Sequence, residues 1–233
     1  MNNAALQLKI KQRLNKLASN DYDNIECWQI VEAFNKAQVE WVRRQLHGNN
    51  IFKEGDESSK RRVDDLQLLL TQQLLFGTDQ PEYFRSDELP EDYLQFKRVD
   101  AYAKDDCCPI RGMTVYLAEE ANADQLLRDI YRQPSFEWSE TFCTLMSNRV
   151  KIYTGGKFDI TRASITYYRQ PVKIEILGCI DPYTQQESTI DIPCEFKDDI
   201  VEILIDEAVS VLAGDIENIT QYQRGTQSAE RSN

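Results

Sequence analysis

The side chains of this sequence that suit chemistry are its acids, its cysteines and one histidine, and their spacing argues against most of that chemistry. The acid pairs Asp105-Asp106, Glu119-Glu120 and Asp198-Asp199 would suit a cation or a general acid and base. Adjacent side chains point to different faces of a helix or strand, however, and 39 acidic residues make such pairs inevitable. A Cys–His or Ser–His nucleophile would have to use His47, the only histidine. That residue falls in Leu46-His47-Gly48, an expected helix end, where its ordinary role is to satisfy carbonyls. The six cysteines (Cys27, Cys107, Cys108, Cys143, Cys179 and Cys194) show no C-x-x-C spacing and no paired framework. Neither a zinc site nor a staple is expected from them, and synthesis in a reducing cytoplasm is. There is no G-x-x-x-x-G-K-[ST] loop and no G-x-G-x-x-G. The residues thus predict no catalytic group, no cofactor and no metal. An enzyme built on a carboxylate pair stays as the remote alternative.

Charge narrows the partners. The chain has 233 residues, a formal net charge of -12 and 41% hydrophobic residues, enough for one sizeable core or two small ones. Acidity of that size argues against a protein that grips nucleic acid phosphates. No apolar run approaches the ~20 residues needed to cross a bilayer, and the N-terminus MNNAALQLKIKQ lacks the apolar core of a secretory signal. Against this background Ala4 to Ala18 stands out, with Lys9, Lys11, Arg13 and Lys16 and no acid. Docking, on an acidic neighbour before DNA or a membrane surface, is one reading of it, and a solvated basic face is the other. Lys60-Arg61-Arg62 is cancelled by Asp64-Asp65. Tyr167-Tyr168-Arg169 and Tyr222-Gln223-Arg224 would suit base stacking, but packing of strand and tail side chains is the favoured reading.

The elements that would position these groups follow from periodicity. Leu6, Ile10, Leu14 and Leu17 predict a helix over Ala4–Ala18, and Cys27, Val31, Phe34, Trp41, Val42 and Leu46 predict a second over Ile25–Leu46, with Asp21 or Asp23 as its cap. Trp28 and Ile30 lie off that stripe, so the second helix is expected to touch two surfaces. A third helix is expected over Lys60–Leu70, and extended pieces at Leu74–Phe76 and Tyr83–Phe84. Strands are expected at Phe96–Tyr102 and Met113–Leu117 around a turn at Asp105–Gly112, then a short helix over Ala121–Tyr131. Next come a strand at Phe142–Met146 and two runs, Val150–Tyr153 and Phe158–Tyr168, on either side of Gly155-Gly156. Glycine pairs between alternating runs signal a type I′ hairpin, and this one is the expected centre of an antiparallel sheet. Pro171–Ile180 and Ser188–Ile192 read as further strands, and Asp198–Ala213 as a helix with acids at its positive end. The tail QRGTQSAERSN has nothing of its own to bury, so a homo-oligomer or larger assembly is expected to hold it. Removing Gly225–Asn233 should weaken assembly more than folding. The expectation is an α+β fold: a helical region at 1–73, an antiparallel β domain (sheet or sandwich) at 74–195, and at 196–233 a C-terminal helix and tail that pack back on the helices and reach neighbours.

This order resembles one family. L-P-x-D-Y-L at Leu89–Leu94, R-Q-P-S-F-E-W-S-E-T at Arg132–Thr141, the Y-Y-R-Q-P exit at Tyr167–Pro171 and the acidic helix opening at Glu195–Val209 together look like the head-to-tail connector or ring proteins of short-tailed, crAss-like bacteriophages. These are distant cousins of podovirus tail tubular protein A. The resemblance implies a virion structural protein made in the host cytoplasm. Copies would form a ring, commonly twelvefold, stacked on the portal or another ring below the head, and would continue the DNA channel into the tail. A negative wall would let DNA pass without adhering. A heterologous ring contact joins two unlike patches. Strand edges beside the Gly-Gly hairpin and the tail, with Tyr222, Arg224, Gln227 and Arg231, are the expected halves. Another collar, tail or head-completion component of the same particle is the alternative.

Overall fold

The structure is a computed structural model, and it describes residues 1–14, 25–47, 64–105 and 108–215. These residues form helices α1 (Asn3–Leu14), α2 (Cys27–His47), α3 (Ala123–Arg128) and α4 (Asp198–Asp215). The strands are β1 (Leu70–Leu75), β2 (Gly77–Asp79), β3 (Tyr83–Ser86), β4 (Tyr93–Asp105), β5 (Cys108–Leu117), β6 (Glu140–Met146), β7 (Arg149–Tyr153) and β8 (Asp159–Arg169). The fold is α+β, as the periodicities imply. It divides into a helical unit, within Met1–Leu68 and Pro171–Asn233, and a β unit, Leu69–Gln170. The division differs from one drawn at residues 73/74 and 195/196. Strand β1 already begins at Leu70, and the segment after Pro171 belongs with the helices.

In the helical unit α4 packs on both α1 and α2. Leu6, Ile10 and Leu14 of α1 are fully covered, as are Ile30, Phe34, Ala37 and Val42 of α2 and Ile200, Leu204, Ile205 and Ala208 of α4. Each covered aliphatic side chain contributes roughly 1.5–3 kcal/mol. Trp41 meets Phe196 edge-on at 5.3 Å between ring centres. The buried stripe of α2 is rotated from the expected one: Ile30 is fully covered, while Cys27, Val31 and Leu46 are half-buried. Residues 171–196 form an arm rather than two strands, because its ladder consists of single bridges, Glu175 with Ile192 and Ile180 with Glu187. Helix side chains add further partners. Asn35 Oδ1 accepts the Ile174 N–H at 2.8 Å, and Asn3 Nδ2 donates to the carbonyls of Glu175 (2.8 Å) and Ile192 (3.1 Å). Buried backbone groups need such partners wherever the ladder stops.

The β unit is one eight-stranded sheet in the order β1-β8-β4-β5-β6-β7-β3-β2. It is mixed, because β5 and β6 run parallel through a connection that carries α3. Strands β1 and β2 lie at opposite ends of the sheet yet only Phe76 separates them, so the sheet curls until its ends meet at that corner. Register shifts along β4, at Tyr93/Gln95, Phe96/Arg98 and Tyr102/Ala103, supply the bend. Gly77, at that corner, permits the close approach of β2 to β3: a Cβ there would lie 2.1 Å from the Arg85 carbonyl oxygen. The inner face carries Val99, Met113, Cys143, Ile152, Ile165 and Tyr167, and α3 covers part of the outer face over Phe142 and Tyr153.

The expected central hairpin is corrected. Gly155 and Gly156 do take φ of 59° and 69°, but β7 pairs with β6 and β3 while β8 pairs with β4 and β1. Positive φ fixes the turn and not the partner of the strand that leaves it. The turn is held from outside, as Thr154 and Gly155 donate their N–H groups to the Glu82 carbonyl at 2.8 and 3.0 Å. Phe158 just beyond it enters the core beside Phe136. The tight hairpin is β6–β7, turning through Ser147 and Asn148 at φ 52° and 57°. The residues expected to extend a third helix to Leu70 instead pass through a 3-10 turn, Gln67–Leu69, into β1.

Candidate interaction surfaces

The acid pairs come apart on folding. Burial pushes the Glu120 carboxyl up, but hydrogen bonds from Lys151 (2.6 Å) and Thr144 outweigh it and hold the group below its ordinary range. Its bond to Glu120 in turn holds the Lys151 ammonium above its ordinary value. Tyr153 also reaches this carboxylate at 3.4 Å, and the Lys151 ammonium lies 5.5 Å from the Tyr83 ring centre. This satisfied cluster ties the turn before α3 to β6 and β7. Glu119 instead takes a long bond from the Asn122 amide at 3.4 Å. Asp198 binds the Met1 amino group at 2.6 Å, and Asp199 is exposed. Asp106 lies outside the described residues. Among the described residues no group of acids, cysteines and histidine is placed to hold a metal ion, and no helix is long and apolar enough to cross a membrane.

The basic first helix finds its acidic neighbour within the chain. Lys9 and Arg13 pair with Glu202, and Arg13 reaches Asp206 at 2.5 Å, so two of its cations meet the acidic side of α4. The sequence carries a basic helix and an acidic one but no signal of which helices pack together. Tyr167 is fully covered in the β unit and donates to Asp92 at 2.9 Å; burial, with that bond, pushes its phenol up to about 12. It has no free face for a base. The side chain of His47 and the residues Lys60-Arg61-Arg62, Tyr222, Arg224, Gln227 and Arg231 lie outside the described residues. Of the strand edges expected beside the Gly-Gly turn, β7 is paired on both sides, with β6 and β3, and β8 is paired with β4 from Asp159 and with β1 from Ala163 to Tyr168.

Two other surfaces present unpartnered apolar groups. In the helical unit a groove of about 720 Å³ runs between the start of α2 and the arm. Trp28, Val31 and Asn35 form one wall, and Ile176, Tyr183 and Ile190 stand on the other. Tyr183 is 84% exposed. Trp28 and Val31 face this groove while Ile30 faces the core, so α2 does present two surfaces. In the β unit, the connection from α3 to β6 leaves Tyr131 91% and Trp138 79% exposed. That connection is pinned from beneath. Arg111 lies over the Phe136 ring at 4.6 Å and donates to the carbonyls of Phe136 and Glu137, and Ser139 takes φ of 55°. A held loop that presents large aromatics has the features of a binding anchor. The sequence signal for it was a lone Trp between proline and the next strand, which periodicity does not score.

No protein-family model matches the sequence, and no curated protein aligns with it significantly.

Proposed function

We propose that the protein is a structural subunit of a phage head-to-tail connector, one of many copies in a ring below the portal that continues the DNA channel. The observation that carries the reading is a pair of unlike patches on a single chain. One is the loop bearing Tyr131 and Trp138, and the other is the groove beside α2. A ring needs such a pair, because its interface joins one surface of a copy to a different surface of the next. The order of elements supports the family, and the net charge of -12 suits a wall along which DNA slides. The role is assembly rather than catalysis, with the portal and adjoining tail proteins as partners and no sequence-specific DNA contact.

The test is a double substitution, Tyr131→Ser with Trp138→Ser. Both side chains are exposed, so the melting temperature of the subunit should stay within a few degrees. Assembly should weaken at least tenfold, read as the concentration at which rings form. Unchanged assembly would remove the loop from the interface. A chain that stays monomeric and is absent from particles would remove the reading itself.

A further inference from the structure

We propose that Cys27 and Cys179 form a reversible redox latch that fastens the distal part of the arm to the start of α2 and so holds the groove in shape. The two residues are 152 apart in sequence, yet the structure joins them with a Cα–Cα distance of 5.6 Å, a spacing that a disulfide bridges without backbone movement. This overturns the expectation that the cysteines have no paired framework. Spacing carries no signal for a pair whose members come from opposite ends of the fold.

The surroundings suit exchange. Cys27 is the first residue of α2 and half-buried, so its sulfur is the one of the pair that an exchange partner can reach. The Gln7 side-chain amide adds a donor 3.4 Å from its sulfur. Cys179 follows Gly178, whose φ of 80° turns the arm back toward α2. The arm has little else to hold it there. Its proximal end is clamped by Asn35 on Ile174; beyond Glu175 and Ile192 its backbone bonds, Gly178 to Ser188, Ser188 to Cys179 and Asp181 to Gln186, close the arm on itself and not on α2, and Leu177, Ile180 and Tyr183 are exposed. Cys143 and Cys194 are buried, with thiols pushed up to about 12 and about 11; Cys179 is buried as well, so exchange begins at the half-buried Cys27.

The step balances with a small-molecule disulfide such as oxidised glutathione. The Cys27 thiolate attacks one sulfur of it, forming a mixed disulfide and releasing one glutathione thiolate. The Cys179 thiolate then attacks the Cys27 sulfur and releases the second. Two protein thiols are oxidised, one glutathione disulfide is reduced to two thiols, and the two protons pass to the departing thiolates. Reduction by a dithiol runs the same steps backwards. The latch is therefore open in a reducing compartment and closed outside it. The proposal concerns the single chain and stands apart from ring formation.

The full chain is equilibrated with oxidised or reduced glutathione, its thiols are alkylated and mapped by mass, and amide hydrogen exchange is followed in both states. Oxidised protein should show a Cys27–Cys179 cross-linked peptide. On reduction, exchange at Gly178, Cys179 and Ser188 should accelerate about tenfold or more, while Phe142–Ile152 in the β unit should not change. Cys27→Ser and Cys179→Ser should each exchange like reduced wild type and ignore the reductant. If a variant fails to fold, reduced wild type supplies the same comparison. Alkylation of both residues after oxidation, pairing of either with another cysteine, or equal exchange in the two states would overturn the proposal.

Discussion

The two units are held together by different means. The β unit is tied by continuous backbone ladders, some between strands that follow each other in the chain and others, such as β4 with β8 and β1 with β8, between strands far apart in it, and its inner face is filled by alternating apolar residues. The helical unit is assembled from two stretches that flank the whole β unit. Its halves are tied by individual side chains: Arg13 to Glu202 and Asp206, Arg44 to the covered Glu207, Asn3 and Asn35 to the arm, and Cys27 to Cys179. In the chain-entropy picture, closing a loop that long stabilises the fold by on the order of 5 kcal/mol. The helical unit thus adds to its apolar packing a few side-chain ties, each of large effect; a laddered sheet spreads its polar ties along the backbone.

That difference is open to challenge, most strongly at Arg44. The Arg44→Ala variant leaves Glu207, 5% exposed, as an acid with no cation beside it, and a buried pair broken on one side costs about 3–5 kcal/mol. Urea unfolding read from Trp41 should show the loss, with the Trp138 signal in the β unit shifted far less. Equal shifts would merge the two units into one cooperative body. The β unit has its own exception at the corner where its ends meet. Gly77→Ala places a methyl group against the Arg85 carbonyl, and because backbone must move, the loss should reach about 3 kcal/mol, seen as a lowered melting temperature. A stability change under ~0.5 kcal/mol would show that the corner is not a closure point.

Acid should sharpen the contrast by a smaller amount. The hydrogen bond from Lys9 first, and the Arg13 charge against the cost of burial, hold the Glu202 carboxyl below its ordinary value of 4.5. A carboxyl depressed in the fold contributes stability that is fully present above about pH 4.5 and is lost as pH falls through the folded value. Glu120 in the β unit is depressed likewise, so both units weaken on acidification. The helical unit adds Asp198, which the N-terminal ammonium holds below 3.8, and should unfold at the lower urea concentration at pH 3.5. Stability of the helical unit that does not change between pH 6 and pH 3.5 would take the α1–α4 ion pairs out of its account.

Legibility follows the same division. Alternation and helical spacing are local properties, so the strands around Phe96, Val115, Phe142 and Val150 and the helices at both ends were readable. Partners were not. Gly155-Gly156 has the expected conformation but joins strands on different parts of the sheet, and Ser147-Asn148, with weaker turn chemistry, makes the hairpin. The arm reads as strand because Ile174 and Ile176 alternate with polar residues, yet it pairs only with itself at single bridges and takes helix amides as further partners. Cys27 with Cys179, and Arg13 with Asp206, are set by topology alone. The exposed Trp138 was quoted as part of a motif, while its role as a held anchor emerges only once Arg111 is seen beneath the loop.

Native mass spectrometry of the purified full chain, followed by rotational averaging of its particles in electron micrographs, tests the central claim most directly. The account predicts a closed ring of identical copies, commonly twelve, with the loop bearing Tyr131 and Trp138 at the contact between neighbours. A single-copy mass at concentrations well above those found in assembling particles would contradict it.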